Sequence, residues 1–69
     1  MMDRYYVNNT PQPNGDHEVH KAGCYWLSRA TSTRDLGLHS YCATAVAVAK
    51  GIYRTANGCA TCAPGCHTR

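Results

Sequence analysis

Aromatic and β-branched residues come together first at Arg4-Tyr5-Tyr6-Val7, which predicts a short strand. The polar run Asn8 to Asp16 (NNTPQPNGD) is dense in turn formers, including an Asn-Gly pair, and predicts a loop. Glu18-Val19-His20 predicts a second strand. Strand side chains alternate, so Val19 faces the core while His17 and His20 lie on opposite faces. The chain then turns through Gly23 into Tyr25-Trp26-Leu27, the largest block of apolar area, which is expected in the core. Ser28 to Arg34 is polar and reads as a loop, and Leu36-Gly37-Leu38 as a short strand. Ser40 suits a helix N-cap. In the run YCATAVAVAKGIY that follows, Cys42, Val46, Ala49 and Tyr53 recur on one helical face. Alanine favours this helix, Gly51 weakens its last turn, and Asn57-Gly58 is expected to stop it. The tail GCATCAPGCHTR is too rich in Gly, Pro and Cys for regular structure. The pattern holds no internal repeat and no heptads. It predicts one α+β domain over residues 1–69, with a short antiparallel sheet and one main helix.

Composition changes this picture in one respect. With 69 residues, no Phe, three Leu, one Ile and four Val, the chain has little large apolar surface to bury. Burial returns roughly 25 cal/mol per Å², against about 1–2 kcal/mol per residue of backbone ordering. A domain this small needs a staple: disulfides, a metal or a partner subunit. Five Cys and four His supply the material. The net charge of +3 comes from scattered Lys and Arg with no run, which permits nucleic-acid binding without arguing for it. No apolar signal-peptide core follows the opening MMDRYYVNN, and the most apolar stretch, Ala43 to Ala49, is too short to span a membrane. A cytoplasmic location is therefore expected, where thiols stay reduced and Cys spacing points to metal binding. Five thiols also cannot all pair within one chain.

Candidate ligands gather at two places, His17 to Cys24 and Cys59 to His67, about 35 residues apart between Cys24 and Cys59. Two ligand pairs separated by a folded segment is how structural zinc sites are built. Cys59-x-x-Cys62 reads as a knuckle, and His20-x3-Cys24 supplies the second pair. The assignment is a tetrahedral Zn²⁺ site of His20, Cys24, Cys59 and Cys62, with Cys66 and His67 as alternative ligands. Such a site contributes on the order of 10 kcal/mol to folding. All four positions are filled by protein, so no catalytic water remains. Cys42 is expected to pack in the core, and His39 to sit at the surface before the N-cap. His17-Glu18-Val19-His20 is one residue short of the HExxH metalloprotease spacing. Cys62 to His67 is one residue longer than a haem-attachment motif.

The run His20-Lys-Ala-Gly-Cys24-Tyr-Trp-Leu27, then a strand, an Ala-rich helix and Cys59-x-x-Cys62, resembles the Ada-like metal-binding domain. The resemblance covers His17 to Cys62, with residues 1–16 an N-terminal strand and loop and residues 63–69 a Cys/His tail. It implies a small bacterial α+β unit in which the two ligand pairs hold one zinc. In the family's repair protein, the first Cys of a Cys-x3-Cys pair accepts a methyl group. His20 stands at that position here, so methyl transfer does not carry over, while Cys24, Cys59 and Cys62 match the structural ligands. The expected function is a small cytoplasmic zinc-binding interaction module without catalytic activity, with a protein or nucleic-acid partner and no membrane. The alternatives are a weak nucleic-acid-binding domain, gripping phosphates through scattered Arg with Tyr25 and Trp26, and a redox or nucleophilic thiol protein using Cys66 beside His67.

Overall fold

The computed structural model describes residues 1–68. Among them the chain forms strand β1 (Asp3–Asn8), strand β2 (His17–Lys21), helix α1 (Tyr25–Arg29), strand β3 (Thr33–His39), helix α2 (Cys42–Lys50) and strand β4 (Ala56–Gly58). A 3-10 turn, Pro64–Cys66, follows. The four strands make one sheet in the order β3-β1-β2-β4. β1 is antiparallel to β2, with Val7 opposite Val19, and antiparallel to β3. The chain is thus α+β, as its pattern predicts, with a mixed sheet, because β4 adds to β2 in parallel and sets Gly58 opposite Val19.

Alternation decides what each face of the sheet carries. Tyr5, Val7, Val19 and Leu36 are buried with Ala45, Val46 and Ala49 of α2 and with Ala56, forming the core. α2 is the lid of this face. It starts at Cys42 with Tyr41 as its N-cap, and no side chain caps it, so Ser40 does not take the capping role. Beyond its end, Tyr53 stacks on the His17 ring at a centroid distance of 3.7 Å. His39, expected at the surface, is half-buried, with its ring nitrogens 2.7 Å from the Leu36 carbonyl and 2.9 Å from Thr44 Oγ1.

Several segments differ from the sequence expectation. Ser28 to Arg34, read as a loop, instead ends α1 at Arg29 and begins β3 at Thr33. Asn57-Gly58 belongs to β4 instead of a turn. The Asn57 side chain is buried, donates to Asp16 Oδ2 at 3.3 Å, and accepts from the N–H and hydroxyl of Thr68. These bonds replace the local turn bonds that Asn otherwise favours. Tyr25-Trp26-Leu27 starts α1, a five-residue helix with no buried residue, and Tyr25 and Trp26 are exposed instead of filling the core. Cys42 does border the core, but its sulfur is bonded to Cys66, tying the start of α2 to the 3-10 turn. Among the described residues no helix is long and apolar enough to cross a membrane.

Candidate metal centre

His20 follows Val19 on β2, so alternation turns its side chain to the face opposite the α2 core. It is the largest fully buried side chain of the described residues. The parallel pairing of β2 and β4 then delivers the distant cysteines. Gly58 lies opposite Val19, and the Cys59 N–H donates to the Val19 carbonyl at 2.9 Å. Cys59 is thereby fixed beside His20. The chain folds back so that Ala63 N–H bonds the Cys59 carbonyl at 2.9 Å, and Cys62 comes under the Lys21 N–H, which donates to its Sγ at 3.2 Å. The Thr61 N–H points to Cys59 Sγ at 3.4 Å. Backbone donors directed at two sulfurs separated by two residues give the knuckle predicted from Cys59-x-x-Cys62. Cys24 arrives from the other side. Gly23, at φ +89°, makes a left-handed turn that a side chain would strain, and Cys24 follows as the N-cap of α1.

One ligand atom from each of His20, Cys24, Cys59 and Cys62 can be chosen so that all four lie within 4.8 Å of one another. A tetrahedral ion with metal–sulfur bonds near 2.3 Å requires sulfur–sulfur edges of about 3.8 Å, so small side-chain adjustments close the shell. The His20 nitrogen facing the sulfurs is Nδ1, 3.9 Å from Cys62 Sγ. Its Nε2 faces Glu18 Oε1 at 3.6 Å. A carboxylate behind a ligating imidazole fixes the ring and its tautomer.

Electrostatics suit a cation. Burial holds the His20 imidazole below its ordinary pKa, against the raising effect of Glu18, so the ring is neutral and free to ligate at neutral pH. Burial pushes the Cys62 thiol up to about 12, although the Lys21 N–H opposes this. Burial also raises Cys24, but hydrogen bonding to Cys62 and the N–H groups of Leu27 and Trp26 bring it below its ordinary value.

The two alternative ligands are not in the cluster. Cys66 is in the disulfide with Cys42, so it is neither a ligand nor the free nucleophile of the thiol-protein reading. His67 Nδ1 lies 2.9 Å from the Gly58 carbonyl. The expectation that the thiols stay reduced is corrected for one pair: Cys42 and Cys66 are bonded, and the other three remain free. Sequence reasoning gave no role to Glu18, although alternation on β2 places it on the His20 face. Fold and site together define a small α+β domain with a His/Cys cluster able to hold a metal ion. No protein-family model, curated protein or solved structure matches the chain.

Proposed function

We propose that the cluster binds one Zn²⁺ and that the chain is a small zinc-stapled interaction module without catalytic activity. The observation that carries this reading is the convergence of one imidazole nitrogen and three cysteine sulfurs, from both ends of the chain, within 4.8 Å. Three soft thiolates and an imidazole in a tetrahedral arrangement suit zinc over harder, oxygen-loving ions. Four protein ligands complete a structural shell and leave no position for a reacting water. The Ada-like resemblance supports the same role, with an imidazole at His20 where the repair protein has its reactive thiolate. Elemental analysis of the purified chain is expected to give one zinc per molecule, lost together with folded structure on chelation. A chain purified without metal that takes up none on titration with Zn²⁺ would overturn the proposal.

A further inference from the structure

Two shallow clefts adjoin the cluster and share Gln12, Glu18 and Trp26. The first, of about 230 Å³, is lined by Gln12, Glu18, Trp26, Cys59, Ala60 and Thr61. Pockets for drug-sized ligands occupy about 300–1,000 Å³, so this cleft suits one side chain better than a cofactor. Its chemistry has one sign. Glu18 is only 18 % exposed, which strengthens its pull on a cation. Trp26 is 51 % exposed on a helix that buries nothing, and an indole attracts an ammonium through its π face. Cys59 belongs to the cluster, where three thiolates around the proposed divalent ion would leave one net negative charge. The lining of this cleft contains no Lys or Arg, and Arg29 lines the neighbouring cleft, which shares Glu18 and Trp26 with it.

We propose that this cleft receives the ammonium group of a lysine side chain from a partner protein, held between the Trp26 ring and the Glu18 carboxylate. The proposal rests on the zinc-module reading for part of its negative charge, and it gives that module a partner of defined chemistry. A compact ammonium fits the small cleft, and a phosphate would be repelled by the same carboxylate.

Trp26 is the sole tryptophan, so its fluorescence reports occupancy directly. Zinc content of the full chain is measured first, so a failure of the zinc reading appears as missing metal before any peptide is added. The zinc-loaded chain is then titrated with acetyl-Gly-Lys-Gly-amide and with its norleucine counterpart, which has a similar carbon stem but no charge. The lysine peptide is expected to saturate at about tenfold lower concentration than the norleucine peptide, the size of a charge-assisted contact. Glu18→Gln is expected to weaken the lysine peptide by about tenfold. Because Glu18 also faces His20, Gln12→Glu is the second variant: it adds a carboxylate to the cleft wall away from the ligands and should tighten lysine binding about threefold. Equal titration by the two peptides, or a Gln12→Glu chain with unchanged lysine affinity, would overturn the proposal.

Discussion

Gly58 shows how much a single hydrogen in place of a side chain can decide. A Cβ built there would lie 2.7 Å from Cys66 Cβ and 2.8 Å from Cys66 backbone carbon, closer than such atoms approach. The parallel pairing of β4 with β2 and the disulfide-bonded turn can coexist only because residue 58 has no side chain. Gly58→Ala is expected to cost about 1–3 kcal/mol, the usual range for overpacking, read as a lower urea midpoint with unchanged slope. Asn57 beside it makes three side-chain hydrogen bonds, one to buried Asp16 and two to exposed Thr68, so Asn57→Ala should cost about 1–3 kcal/mol, chiefly through the lost bonds inside the sheet edge. At the cluster, the raised Cys62 thiol sets the pH dependence of metal binding. Its pKa near 12 means that the proton must leave when a metal arrives, whereas burial lowers His20 and so reduces the proton it must give up. Affinity for Zn²⁺ should therefore rise by at least about tenfold per pH unit between pH 6 and 8. Competition titrations with a chelator of known affinity check this, and a pH-independent affinity would contradict it.

Among the elements, β1 and β2 were legible because their aromatic and aliphatic residues carry the burial that forms them, whereas β3 was legible only at Leu36-Gly37-Leu38, because its exposed start at Thr33 and Arg34 reads as loop. The main helix was legible from Cys42, Val46 and Ala49, although it ends at Lys50 and Tyr53 packs on His17 instead of continuing the face. β4 was not legible. Ala56-Asn57-Gly58 has turn chemistry, and only pairing with β2 and the side-chain bonds of Asn57 make it a strand. α1 was missed because Tyr25, Trp26 and Leu27 look like core, and nothing local says that Trp26 borders a cleft beside the His/Cys cluster. That His20, Cys24, Cys59 and Cys62 come together was legible from spacing, since His-x3-Cys and Cys-x2-Cys need only a turn each. The Cys42–Cys66 bond was not, because a cysteine on an apolar helical face looks like an ordinary core residue. That bond closes a loop with a sequence separation of 24, worth about 3 kcal/mol in the chain-entropy description. The double variant Cys42→Ala with Cys66→Ala should lose stability of that order yet leave the proposed zinc binding unchanged, because neither sulfur is in the cluster. Thermal melts and metal content measured on the same sample separate the two effects.

For the molecule as a whole, the sheet has a stabilising layer on each face. On one face α2 covers a core made largely of Val and Ala; on the other, the cluster joins β2, α1 and the segment after β4. The disulfide links α2 to that same segment, so both staples converge on residues 58–66. Cys62→Ser removes a proposed ligand on which the Lys21 N–H converges, and should abolish the folded state instead of weakening it by the amount of a core truncation. Loss of all sheet signal in the Cys62→Ser circular dichroism spectrum, beside a folded Cys42→Ala chain, is the expected outcome. The most direct measurement of the central claim follows circular dichroism and metal content of one sample through removal of the ion by a chelator and its return. One zinc per chain, sheet structure lost with it and regained on adding it back, is the expected result. A metal-free chain that keeps the same spectrum and the same cooperative melt would contradict the claim.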